Sequence, residues 1–192
     1  MHVSGQEEES IIPEADIVFA KFGSRFSASL IDGILIILVN LPITYFNVTQ
    51  WKIPALYIMV SLVLVCYKPF MEYRYGATLG KMALGIMVVG YQFQKVTLRE
   101  ELRRVSFYLV PNIIQEIMTL NVYFSDDLKQ ITSYHDYNNY VTESNPALLV
   151  LNLIVFGLLI ADCICFLNDA QNRSLHDLYA GTYVIEKPQS TF

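Results

Sequence analysis

The feature that most constrains this chain is a charged residue inside an apolar stretch long enough to cross a bilayer. Residues 26–46 are almost entirely apolar, yet Asp32 lies within them and Arg25 stands just before them. A carboxylate exposed to hydrocarbon is costly, so it must face a partner, a polar cavity or another helix. The sequence therefore predicts a membrane protein with a polar interior, where its function should be sought.

The composition supports an all-α membrane protein. Of the 192 residues, 54% are hydrophobic and only 16% are charged, whereas a soluble domain carries about 25% charge. A span needs about 20 mostly apolar residues, and we expect about four transmembrane helices, at about 26–46, 54–71, 105–122 and 147–167. The third stretch is the weakest because it contains Pro111, Gln115 and Glu116. It could face the bundle interior or lie at the membrane interface.

The distribution of basic residues predicts the orientation. With four spans, only Lys52 and Lys129 fall outside, which leaves 11 of the 13 Lys and Arg residues inside. This positive-inside bias favours cytoplasmic termini; with 105–122 not spanning, the division would be 10 against 3. We thus expect an acidic cytoplasmic tail at 1–17, an external loop at 123–145 and a C-terminal tail at 187–192. Neither a cleavable signal peptide nor the basic stripe of a nucleic-acid-binding protein is expected.

A cytoplasmic segment at 72–104 separates the second and third predicted spans. We expect a short interfacial helix there, followed by a strand-like run at 86–93, which is rich in β-favouring residues. Thr97 with Glu100 three positions later predicts a capping box at the start of the next helix.

Arg25 and Asp32 are seven residues apart, which places them on nearly the same helix face. Their Cα atoms would be about 10 Å apart, too far for a comfortable direct pair, so each is expected to have another partner. Arg25 alone is typical of an anchor that extends to the membrane boundary. The depth of Asp32 favours an interhelical hydrogen bond, a buried ion pair or a place on an ion path.

A glycine-rich run follows the second span. Gly76, Gly80 and Lys81 superficially resemble a phosphate loop, but the spacing is one residue short and Met82 replaces the required hydroxyl residue. Glycines this dense more plausibly permit close approach of helix backbones.

A third polar run contains Arg173, His176 and Asp177. Arg173 and Asp177 are four positions apart, a spacing that allows an ion pair within a helix. We expect no metal site, because His2 and His135 fall in other predicted segments. The three cysteines, Cys66, Cys163 and Cys165, fit small apolar positions in helices, and no disulfide framework is indicated.

Together these runs resemble the RDD family of membrane proteins, which is named for one arginine and two aspartates. Arg25 and Asp32 match the first two, and we assign the third to Asp177. The family's glycine-rich pattern corresponds to Gly76, Thr78, Gly80, Lys81, Gly85 and Val88. The resemblance covers about residues 18–186, apart from the long polar insertion at 123–145. It implies an integral protein of the bacterial cytoplasmic (inner) membrane, and transport, including cation/proton exchange, has been proposed for some members.

Two functions remain open at this point. We expect an accessory or scaffold subunit of a larger membrane complex, because the chain is small and its glycine-rich segment and tyrosine-rich loop suit contacts with partners. The alternative is a transporter of protons or monovalent cations that uses the intramembrane carboxylates Asp32, Glu116 and Asp162. Four spans are few for a transporter, and a homodimer could supply the missing half. No nucleophile–base pair indicates an enzyme, and no cofactor is expected.

Overall fold

The computed structural model describes residues 17–188, and it is mostly helical (73%). A π-helical turn at Asn47–Trp51 extends the first helix, and a 3₁₀ turn lies at Asp126–Lys129. The predicted tails at 1–17 and 187–192 lie almost wholly outside the described residues. The elements are α1 (Phe22–Phe46), α2 (Pro54–Tyr75), α3 (Leu79–Ala83), β1 (Ile86–Val89), α4 (Leu98–Tyr123), α5 (Tyr134–Ser144), α6 (Ala147–Asn168), α7 (Leu175–Ala180) and β2 (Tyr183–Glu186).

Three helical segments are long and apolar enough to cross a membrane: Phe22–Trp51, Pro54–Tyr75 and Ala147–Asn168. They contain the first, second and fourth predicted spans. The third predicted span lies within α4, which is long enough but carries too many polar and charged residues to qualify by composition.

Helix α4 lies antiparallel to α2 along the length of α2. Near the C-terminal end of α2, the Glu72 carboxylate accepts a hydrogen bond from Arg104 at 2.8 Å. Near its N-terminal end, the Tyr57 hydroxyl donates to Glu116 at 2.5 Å, and the rings of Tyr57 and Tyr123 stack with centroids 4.5 Å apart. Because these contacts lie at opposite ends of α2, the two helices cover the same depth.

A small antiparallel sheet lies beside the helices. Strand β1 pairs with β2, with Val88 opposite Val184, and both valines are buried together with Ala20 and Ala28. The strand-like run is therefore confirmed over Ile86–Val89, although no sequence pattern indicated its partner strand. The expected all-α class omits this two-stranded sheet.

The predicted capping box at the start of α4 is confirmed. The Thr97 hydroxyl accepts from the Glu100 backbone N–H, and the Glu100 carboxylate accepts from the Thr97 backbone N–H at 2.8 Å. The box fixes the point at which the chain leaves the sheet and enters α4.

The segment predicted as a polar loop, 123–145, is largely ordered into helical structure. The 3₁₀ turn and α5 pack on a core that includes Val48 and Leu128. Tyr123 and Tyr137 are buried, 5% and 4% exposed, so these two tyrosines of the tyrosine-rich segment belong to the protein core. Their rings make an edge-to-face contact with centroids 6.2 Å apart, and ring packing of this kind favours burial.

Candidate functional site

Five buried ionised side chains form a continuous chain of ion pairs, which we call the charge network. Arg25 Nη1 lies 2.5 Å from Asp177 Oδ2, and Arg104 Nη2 lies 3.1 Å from Asp177 Oδ1. Arg104 Nη1 and Lys81 Nζ each lie 2.8 Å from a different oxygen of Glu72. The members come from α1, α7, α4, α2 and α3 in turn, so one network joins five helices.

Arg25 is part of this network and does not act as a boundary anchor. Its side chain is only 13% exposed, and its guanidinium lies 5.1 Å from the ring centroid of Phe166 on α6. The anchor expectation is therefore wrong. The expectation of separate partners for Arg25 and Asp32 is confirmed, since Arg25 pairs with Asp177 across the fold.

Hydrogen bonds at the start of α7 fix the Asp177 carboxylate, in addition to its ion pairs with the two arginines. Its carboxylate accepts from the Ser174 backbone N–H and hydroxyl, which closes a capping box at the start of α7. Burial alone would raise the pKa of Asp177, but the charges of Arg104, His176 and Arg25 outweigh burial and hold it well below 3.8. Asp177 is therefore a fixed anion between two guanidinium groups.

Asp32 lies apart from the charge network and, within residues 17–188, has hydrogen-bond donors but no ion-pair partner. It accepts from Thr78 Oγ1 at 2.6 Å, from Tyr67 OH at 2.9 Å and from the Gly80 backbone N–H at 2.8 Å. A Cβ at Gly80 would lie 2.1 Å from the Ala28 carbonyl oxygen. The predicted close approach of backbones is thus confirmed at Gly80, where α3 packs directly against α1.

The other residues of the glycine-rich run shape the chain around α3. Thr78 caps the N-terminus of α3. Gly76 (φ 70°) ends α2 and Gly85 (φ 64°) leads into β1, and both use the left-handed conformation that favours glycine. The run therefore presents Gly80 and Lys81 to Asp32 and Glu72.

His176 joins α7 to α6. Its Nδ1 lies 2.6 Å from Asp162 Oδ2, and the Tyr108 hydroxyl donates to the same carboxylate. Burial lowers the pKa of His176 below 6.5, although the carboxylates of Asp177 and Asp162 act in the opposite direction. The helical spacing suggested an ion pair between Arg173 and Asp177, but Arg173 pairs with Asp169 instead. Arg173 lies before α7 begins, and its Nη2 is 3.0 Å from Asp169 Oδ1.

The three carboxylates proposed as an ion path have separate sets of partners. Glu116 Oε2 accepts from Tyr57 and from Ser61 Oγ at 2.6 Å. Within residues 17–188, no hydrogen bond joins Glu116 to Asp32 or Asp162. A group of three or more His, Cys, Asp or Glu side chains able to hold a metal ion is not found in this range.

Two buried carboxylates escaped the sequence analysis. Glu72 is the centre of the charge network, but its partners are distant in sequence, and a single glutamate at the end of a span gave no signal. Glu101, on the first turns of α4, is fully buried, and neither of its oxygens has a hydrogen-bond partner in the described part of the chain. Burial, reinforced by the charge of Glu72, raises the pKa of Glu101 to about 7.

Three of the cavities among the described residues lie beside α2. The tyrosine cavity (270 Å³) is lined by Tyr57, Tyr123, Tyr134, Tyr137 and Glu116 among others. The middle cavity (210 Å³) is lined by Leu64, Lys68, Tyr108, Asn112 and Glu116 among others. The arginine cavity (290 Å³) is lined by Arg25, Asp32, Lys68, Glu72 and Arg104 among others.

Neighbouring cavities share side chains. Glu116 and Leu64 line both the tyrosine cavity and the middle cavity, and Lys68 lines both the middle cavity and the arginine cavity. We call this row of three cavities the polar seam. It follows α2 from the region of Tyr57 to the region of Glu72.

The fold and the charge network define a helical membrane protein with several apolar helices and a buried polar interior. The model of the RDD family matches residues 19–181, which is most of the chain. The protein therefore belongs to the RDD family, as its three sequence motifs suggested. No curated protein and no solved structure matches the chain.

Proposed function

We propose that this protein exchanges protons and monovalent cations across the cytoplasmic membrane, along the polar seam. The observation that carries the proposal is the row of three cavities along α2, in which each cavity shares a charged lining residue with the next. A path for ions needs polar groups and water at membrane depth. A helical bundle with a purely structural role does not need them.

The proposal requires α4 to be a fourth span, with both termini in the cytoplasm. The packing of α4 supports this, because α4 contacts α2 near both of its ends and α2 qualifies as a span. The low apolar content of α4 is then explained by the polar side chains that it turns towards α2 and α7, such as Arg104 and Glu116. Its exposed residues include Val110, Ile113, Ile114 and Ile117, which suit contact with lipid.

Glu116 is the carboxylate best placed to carry a proton or bind a cation. It lines two of the three cavities, and its contacts are hydroxyl groups with no cationic partner in the described chain. Asp32 lines the arginine cavity but is fixed by three donors. Asp162 does not line any of the three cavities and instead positions His176.

The test is proton flux in reconstituted liposomes that contain a pH-sensitive dye. A pulse of Na⁺ or K⁺ should change the luminal pH in vesicles with the wild-type protein, and Glu116→Gln should abolish the change. Glu143→Gln is the matched control, because Glu143 is exposed on α5 and lies off the seam. Silent wild-type vesicles, with incorporation verified, would contradict transport, as would full flux in Glu116→Gln.

The second candidate is an accessory or scaffold subunit, and the exposure of α6 favours it. Of the apolar 18-residue window of this helix, only 6% is buried against the rest of the chain. Lipid or another membrane protein can cover such a surface, including a second copy of this chain. A stable partner recovered in mild detergent, together with silent liposomes, would support this alternative.

A further inference from the structure

The tyrosine cavity has the composition of a site for an organic cation. Its aromatic wall is continuous: Tyr57 stacks on Tyr123, Tyr123 contacts Tyr137 edge to face, and Tyr137 stacks on Tyr134 with centroids 6.2 Å apart. All four rings line the cavity. Aromatic faces attract cations, and quaternary ammonium groups are recognised by cages of this type.

The acidic group in the tyrosine cavity is complementary to the positive charge of an organic cation. Among the described residues that line it, Glu116 is the only acidic or basic side chain, and the other polar lining groups are amides and hydroxyls. Glu116 Oε2 is occupied by Tyr57 and Ser61, whereas Oε1 makes no hydrogen bond within residues 17–188 and is not among the enclosed unpartnered atoms. One carboxylate oxygen therefore remains accessible to an occupant.

The size and the apolar lining of the tyrosine cavity favour an organic cation over a bare metal ion. The volume of 270 Å³ is many times the space that one water needs, and the lining includes Ile43, Leu56, Val60, Leu64 and Val141. An alkali ion would leave these apolar groups without a function, whereas alkyl groups on nitrogen would contact them.

We propose that the tyrosine cavity binds a small organic ammonium ion, with its positive charge against Glu116 and its alkyl groups against the tyrosine rings. This inference rests on the proposed function, since the tyrosine cavity is one end of the seam, and it adds an organic ammonium ion to the cations that the seam admits. The shared chemistry is an alkylated ammonium group, which can belong to a free solute or to a lipid headgroup.

The experiment is calorimetric titration of the full chain in nanodiscs of phosphatidylglycerol, a lipid without an ammonium group. Choline should bind saturably, and its neutral isostere 3,3-dimethylbutan-1-ol should bind at least about 10-fold more weakly, because it lacks the charge. This comparison uses the wild-type protein and does not depend on the folding of a variant. Equal binding of the two compounds, or displacement of choline by an equal concentration of NaCl, would overturn the proposal.

Variants locate the site. Glu116→Gln should weaken choline binding at least about 10-fold, whereas the control Glu143→Gln should leave it unchanged. Tyr134→Leu should weaken it about 5-fold and Tyr134→Phe should not, because phenylalanine keeps the aromatic face. Unchanged binding in Glu116→Gln would overturn the assignment to this cavity.

Two further measurements distinguish a lipid headgroup from a free solute as the source of the ammonium group, and the ammonium site from the proposed transport. Nanodiscs of phosphatidylcholine should weaken choline binding if the headgroup reaches the cavity, and leave it unchanged if the cation is a free solute. Choline binding without proton flux in liposomes would refute transport alone. Flux without choline binding would refute the ammonium site alone.

Discussion

The guanidinium of Arg25 and the carboxylate of Asp177 lie 2.5 Å apart although 152 positions separate them in the chain. Asp177 is fully buried, and Arg104 contacts its other oxygen. The pair closes the fold, because it joins α1, the first helix, to α7 near the end of the described chain. Two of the three residues that we assigned to the family's name are thus in direct contact, and the third, Asp32, binds α2 and α3 instead.

Removing Arg25 should therefore destabilise the protein strongly. Arg25→Gln leaves part of a buried negative charge uncompensated, and breaking such a pair costs about 3–5 kcal/mol. The thermal unfolding midpoint in detergent, followed by circular dichroism, should fall by many degrees. Arg173→Gln is the matched control, since the Arg173–Asp169 pair is partly exposed and should contribute about 1 kcal/mol or less. Equal effects of the two substitutions would contradict the structural importance of the Arg25–Asp177 pair.

Gly80 should tolerate no side chain. Its Cβ would meet the Ala28 carbonyl oxygen at 2.1 Å, so Gly80→Ala must move α3 away from α1 and break the hydrogen bond from Gly80 to Asp32. We expect a loss of about 3 kcal/mol, read from the same unfolding midpoint. Gly157→Ala is the control, because nothing lies within 4 Å of a Cβ there. It should be neutral or gain up to about 1 kcal/mol from helix propensity.

Glu101 should make the stability depend on pH near neutrality. Its pKa is raised from 4.5 to about 7 by burial, so the folded protein keeps a proton that the unfolded chain loses between these values. The stabilisation from this group is complete below about pH 4.5 and is lost as the pH rises towards 7, by about 3 kcal/mol at most. Glu101→Gln removes the titrating group.

The measurement is the unfolding midpoint of the wild type and of Glu101→Gln at pH 5 and pH 8. Relative to the wild type, the variant should be more stable at pH 8 than at pH 5. A difference between the two proteins that does not change with pH would show that Glu101 does not titrate in this range.

The sequence was sufficient for the elements whose signal is local. The spans in α1, α2 and α6 are apolar runs, the start of α4 is a capping box, and the close approach at Gly80 follows from a dense group of glycines. The family motifs also singled out Arg25, Asp32 and Asp177, of which Asp177 is fully buried and the other two are partly buried.

The remaining features depend on contacts that no local pattern encodes. Helix α4 resembles a soluble helix in composition because its polar side chains face α2 and α7. Strand β2 is only four residues long and is defined by its pairing with β1. Glu72 gave no signal because Arg104, its partner, is 32 positions away. Helix α5 appeared to be a loop because Tyr137 becomes buried only through contacts with other elements, including Tyr123 on α4 and the core that contains Val48.

Whether the polar seam crosses the bilayer is tested most directly by the sidedness of the segments that flank α4. In a protein whose native cysteines are replaced, Gln92→Cys and Glu143→Cys place single thiols at exposed positions before and after α4. With a membrane-impermeant maleimide on intact cells, Glu143→Cys should be labelled at once and Gln92→Cys only after permeabilisation. Labelling of both thiols from the same side would show that α4 does not cross, and it would contradict a transmembrane path for cations.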